Sequence, residues 1–168
     1  MKIVRWIFAG ALVLCVVLQL VAIPTFAQQT NPPVVQEPSW DSPQTRELAQ
    51  RACFDCHSNE TNWPLYSRVA PMAWFITDHV VEGRAELNFS EWHRAAEDAG
   101  EIAEVIQAGE MPLPNYLPLH PEANLSAAEQ QQLINGMYAT LGGTPGQAAP
   151  EGGEHREPYE EHEDEEEY

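Results

Sequence analysis

The order of apolar and polar positions divides the chain into four stretches. The first is an apolar run from Trp6 to Ile23, broken by one polar residue, Gln19. Lys2 and Arg5 precede it, and "TFA" stands before Gln28. A positive start, an apolar run and small residues at its end are the layout of an export signal; the same residues also suit an uncleaved anchor. At about 1.5 Å rise per residue the run is just long enough for a bilayer core of roughly 30 Å. Residues 1–27 therefore read as a signal peptide or N-terminal membrane anchor. The chain after about Gln28 is expected on the far side of the membrane from the cytoplasm. Cys15 lies inside the run behind Leu14, so it reads as an apolar filler rather than a lipid attachment point.

The second stretch, 28–41, is rich in Gln and Pro and predicts an extended linker. The third, 42–141, carries helical periodicity. Ser42-Pro43 is a cap followed by a first-turn proline, and Leu48, Ala49 and Ala52 give that helix one apolar side. The prolines of "SNETNWPLYSRVAP" predict a loop. "MAWFITDHVVEGRAEL" predicts a helix with Trp74, Phe75 and Val81 among its apolar positions. "FSEWHRAAEDAGEIAEVIQAG" predicts a helix capped by Ser90, with a stripe of Ile102, Val105 and Ile106, a break at Gly100 and a stop at Gly109. The proline-dense "EMPLPNYLPLHPEAN" cannot continue it. Ser126 with Glu129 forms a capping box for a last helix, whose stripe is Leu133, Ile134, Met137, Tyr138 and Leu141 and whose stop is Gly142. No strand pattern and no repeat occurs, so the expected fold class is all-α: one small helical domain with long loops.

The fourth stretch, 142–168, is rich in Gly, Pro and Glu and reads as a disordered acidic tail. Residues 151–168 hold ten acidic side chains and one arginine, half of a formal net charge of −18. Such a balance argues against nucleic acid as a partner. It suits a solubilising appendage, or a tail that docks a basic protein partner. His155 and His162 are expected to be solvated.

Candidate chemistry centres on "CFDCH". Positions three and four apart share a helix face, so Cys53, Cys56 and His57 can point at one object. A thioredoxin-like dithiol belongs to a strand–helix–strand setting, which the pattern lacks. Zinc needs two more ligands, and His79, His93 and His120 show no paired spacing. A disulfide would close only a tiny loop. The sequence C-x-x-C-H is that of haem c attachment, with both thiols on one edge of the ring and the histidine as proximal iron ligand. For the sixth iron position Met111, in the proline-held loop "AGEMPLP", is favoured; His120, His79 and an open site are the alternatives. Met72 and Met137 read as packing residues. Trp63, Tyr66, Trp74, Trp92 and Tyr116 are candidates for the pocket wall, or for ordinary core. Arg68 or Arg84 is a candidate partner for a propionate. A backbone carbonyl near Pro64 or Pro71 is expected to hold the second nitrogen of His57.

The segments "CFDCHSNETNWPLYSRVAPMAWF", "EGRAELNFSEW" and "GEMPLPNYLPLHPEANLS", with "TNPPV" before them, resemble the haem-binding domain family of small bacterial c-type cytochromes. The resemblance covers Asn31 to Leu141. It implies a cytochrome c-like helical fold, Cys53 and Cys56 as covalent attachment points, His57 as proximal ligand, and a Met-Pro pair matching Met111-Pro112. The order Asp78-His79 reverses the usual one, and the tail lies outside the resemblance. The function expected is that of a monohaem electron carrier outside the cytoplasm, serving a redox partner protein. The alternatives are a haem peroxidase, a gas or redox sensor, or a non-catalytic haem subunit of a larger redox complex.

Overall fold

The computed structural model describes residues 2–92 and 99–142. The tail 143–168, with His155 and His162, lies outside the described residues, as do His93 and the expected helical turns at 93–98. Seven α-helices are described: α1 Lys2–Val21, α2 Ile23–Phe26, α3 Pro43–Ala52, α4 Phe54–His57, α5 Met72–Glu86, α6 Ala99–Gln107 and α7 Ala127–Leu141. Single 3-10 turns at Leu65–Arg68, Leu117–Leu119 and Pro121–Ala123 shape the loops. Among the described residues the one β contact is an isolated bridge between Gln36 and Glu91. The fold is all-α.

Local chemistry accounts for the helix ends. Ser42 caps α3 by accepting from the Thr45 N–H, with Pro43 in the first turn. Ser126 and Glu129 form a reciprocal capping box on α7. Gly109 and Gly142 take φ of 72° and 84° where α6 and α7 stop, a region that only glycine enters without a steric penalty. Gly100 stands second in α6 as described, so a break ahead of it would fall at 93–98, outside the described residues. One glycine costs a helix about 1 kcal/mol, and the burial of Ala99, Ile102, Ala103 and Ile106 on one side holds this one together.

The core is formed where α3, α6 and α7 meet. Leu48, Ala49, Ile102, Ile106, Leu133, Ile134 and Met137 are buried there. An aromatic cluster closes one end, with Phe54 and Phe89 stacked at 5.5 Å and Trp40 at 5.3 Å from Phe89. The stretch 28–41 is extended, and it is also docked. Gln29 is buried, Val35 and Gln36 donate to the Ser90 carbonyl, and Glu37 pairs with Arg46 of α3 at 2.7 Å. Side-chain hydrogen bonds of this kind leave no periodic trace in a Pro-rich sequence.

On α5 the buried positions are Ala73, Thr77 and Val80. Phe75 and Val81 are exposed and Trp74 is half-buried. Small residues let α5 approach α4 closely, and its larger apolar side chains turn elsewhere.

Arg51 links α3 to the start of α7, donating to Glu129 at 2.7 Å and to the Glu122 carbonyl. Hydrogen bonds from Arg51 and from Ser126 hold the Glu129 carboxyl down to about 2, from an ordinary 4.5. The folded form is favoured by this only while the carboxyl is ionised. The contribution is complete above pH 4.5 and disappears as pH falls through about 2. Glu129→Gln is therefore expected to lower the melting temperature at pH 6, and the gap from the parent should close between pH 4.5 and pH 2. Thermal melts across that range check it.

Candidate functional site

The CxxCH segment does not continue α3. Cys53 leaves helical geometry at φ −124°, and a single turn, α4, follows. The Cys53 carbonyl accepts from the N–H groups of both Cys56 and His57. This tight turn brings Cys53, Cys56 and His57 to one wall of a cavity of about 530 Å³. Buried Phe54 points the other way, into the aromatic cluster, with the Arg46 guanidinium 5.3 Å from its ring. The motif is thus fixed from behind by packing.

The α5 helix forms a second wall. Met72, Phe75, Ile76, His79 and Gly83 line it, spaced three and four apart as one helix face requires. This explains why Phe75 stands outside the core. Val105 and Ile106 of α6 with Met111 and Leu113 supply a third side, and Tyr66, Tyr116, Leu119 and His120 a fourth. The cavity is mostly apolar with a few convergent polar groups, as cofactor sites are.

His57 is held by backbone. Its Nδ1 lies 2.8 Å from the Gly83 carbonyl and 3.2 Å from that of Leu87. The expected partners near Pro64 and Pro71 are not used, because α5 passes directly over the α4 turn. A Cβ at Gly83 would stand 2.8 Å from the Cys56 carbonyl oxygen, so glycine is required for this approach. Donation from Nδ1 leaves Nε2 as the free base, and burial lowers the ring's pKa despite the two carbonyls. A neutral imidazole with one fixed nitrogen is in the state that metal ligation requires.

Both cysteines are free thiols. Burial pushes Cys53 up to about 12, with Cys56 adding to it. Burial and Asp55 push Cys56 up to about 11, against the pull of Arg84. Burial thus keeps both thiols protonated, whereas a redox dithiol works through a lowered thiol pKa. No group of three or more His, Cys, Asp or Glu suited to a metal ion occurs among the described residues.

The other candidates separate. Met111 lines the cavity and is partly exposed; its N–H donates to the Val105 carbonyl, which fastens the loop to α6. His79 lines it too, with Nδ1 2.7 Å from the Phe75 carbonyl. His120 has both nitrogens engaged, Nδ1 with the Tyr116 carbonyl at 3.0 Å and Nε2 with the Tyr66 hydroxyl at 3.4 Å. It stacks on Tyr116 at 3.7 Å and serves as wall. Tyr116 donates to Asp55 at 2.6 Å, a contact that ties the wall to the CxxCH turn.

Trp63, Trp74 and Trp92 lie outside the cavity lining. Trp63 is taken up by a hydrogen bond to Asn31, Trp92 stacks on Phe89 in the core, and Trp74 is half-buried on α5. Neither arginine proposed for a propionate faces the cavity. Arg84 donates to the carbonyls of Ser58 and Thr30 and to Asn31 and Thr61, and Arg68 lies over the Phe26 ring. The charged side chains among the described lining residues are Asp55, Glu82, Glu86 and Glu101. Sequence reasoning missed Phe75, Ile76 and Asp55 as site residues; the spacing of Met72, Phe75, Ile76 and His79 was the available signal.

The haem-binding domain family matches residues 13–139. The chain belongs to the haem-binding domain family. It is a haem-binding protein, and its residues fit the group. The cavity offers apolar walls on several sides, one neutral imidazole with a free nitrogen, and a thioether and a further imidazole elsewhere in the lining. Comparison with curated proteins returned no match, and neither did comparison with solved structures.

Proposed function

We propose that this haem-binding domain is a monohaem c-type cytochrome that carries one electron at a time outside the cytoplasm. The observation that carries the reading is the convergence of Cys53, Cys56 and His57 on one cavity wall, with His57 Nδ1 given to the Gly83 carbonyl. Each thiol would add across one vinyl group of a bound haem, its sulfur bonding one carbon and its hydrogen going to the other, so nothing would be released. Protonated thiols supply that hydrogen. His57 Nε2 would hold the iron. Met111 would be the second protein ligand, and a thioether there would raise the potential. Bound there, haem supplies an iron that exchanges a single electron between the ferrous and ferric states. Phe75, Ile76, Val105 and Leu113 of the lining would exclude water from the bound group, which favours the less charged form. The acidic lining and the net charge of −18 suit a basic redox partner. The apolar helix at the N-terminus suits export, as a signal or as an anchor.

Met111→Ala tests the ligand set. Haem should be retained, the charge-transfer band of the ferric iron–methionine bond lost, and the midpoint potential lowered by about 0.1–0.3 V, part of the roughly 0.8 V that axial ligands cover. Optical spectra and a redox titration read this, and an unchanged spectrum rejects Met111. High-spin spectra and fast carbon monoxide binding by the parent protein would instead support a peroxidase or sensor.

A further inference from the structure

The α1 helix is 20 residues long and apolar, with no fully buried residue, yet its end is built into the haem domain. Gln19, the one polar residue of the run, spends both amide atoms on the Leu65–Ala70 turn. Its Nε2 donates to the Arg68 carbonyl at 2.6 Å, and the Ala70 N–H donates to its Oε1 at 3.2 Å. Next along the chain, Ala22 is fully buried, and the Phe26 ring lies under the Arg68 guanidinium. Gln29 then donates to the Ser67 carbonyl at 2.7 Å and to Thr77 of α5 at 3.0 Å. These contacts straddle the Ala27–Gln28 bond, the candidate cleavage point. A cut there would discard Gln19, Ala22 and Phe26 from a seat already made for them.

The same turn carries bare apolar side chains. Leu65 is 91% exposed and Val69 is 55% exposed, and its neighbours Tyr66 and Met72 line the cavity. From Lys2 to Leu18 the helix rises about 25 Å, less than a hydrocarbon core of roughly 30 Å. A span that short cannot hold the domain away from the bilayer. The Gln19 contacts place the turn at the level where the helix leaves the lipid. Val69 sits between the two residues that Gln19 holds and is exposed beside the end of α1.

We infer that α1 is retained as a membrane anchor whose end forms a rigid neck, and that Leu65 and Val69 lie in the outer bilayer interface. The haem cavity then opens beside the membrane surface. The inference rests on the extracytoplasmic reading above and is independent of electron transfer. Leu65 and Val69 contribute apolar area, and Arg68 offers its cation to lipid phosphates.

The full chain, exported in a bacterium that matures haem c, provides the test. Its intact mass should include residues 1–27. A mass starting at Gln28 overturns the anchor and leaves the exported cytochrome untouched, whereas a chain left inside the cytoplasm fails the export reading instead. In nanodiscs of phosphatidylethanolamine and phosphatidylglycerol, a benzophenone amino acid at position 65 should give lipid adducts on illumination, and one at position 131 on α7 should give none. Absence of lipid adducts at 65, or adducts only with a second copy of the chain, overturns the inference. Gln19→Leu keeps the span apolar and frees the turn. It should remain membrane-bound with a several-fold lower adduct yield at 65, and an unchanged yield overturns the neck.

Discussion

Exchanging both Cys53 and Cys56 for alanine is expected to yield exported chain with no covalently attached haem. The two sulfurs stand on one wall of the cavity with no disulfide between them, and no other described cysteine is near, since Cys15 lies exposed on α1. Intact mass should fall by one haem relative to the parent, and a haem stain of a denaturing gel should be blank. The walls of α4 and α5 would then lose the group they are shaped around, so the apoprotein should also melt at a lower temperature, as binding linkage requires. Haem that survives denaturation in the double variant would refute thioether attachment.

Phe54→Ala should destabilise the domain by about 3–5 kcal/mol, the range for truncating a buried phenylalanine. Phe54 is almost fully buried, stacks on Phe89, and lies 6.3 Å from Trp40. A domain of this size has only about 5–15 kcal/mol to lose. At about 4–8 °C per kcal/mol the melting temperature should drop by at least about 12 °C. Phe54 is also the residue between Cys53 and Asp55, so its ring anchors the attachment turn to the core. Thermal unfolding of the haem-loaded protein measures the effect. A drop of only a few degrees would mean that the turn is held by the haem and the Gly83 carbonyl alone.

What could be read beforehand was local in origin. Ser42, Ser126 with Glu129, Gly109 and Gly142 act on backbone groups within a few residues, so their spelling carries their role. The CxxCH spacing likewise encodes its own geometry. The opposite wall is different. Phe75 and Ile76 face a cavity rather than the protein core, and an apolar stripe of that kind cannot be told from core by periodicity. The pattern therefore groups Trp74 and Val81 with Phe75 on α5, while Ala73, Thr77 and Val80 take the buried side. Arg84 was equally opaque. Its acceptors lie 23 to 54 residues away in the chain, and nothing next to it in sequence announces them.

Gly83 gives up its carbonyl to His57 and, by having no side chain, lets Cys56 come close. Steering of the imidazole plane and placement of the second sulfur are therefore mechanically one adjustment. In a chain that holds haem as proposed above, a substitution at this one position would disturb the orientation of His57 and the seat of Cys56 together.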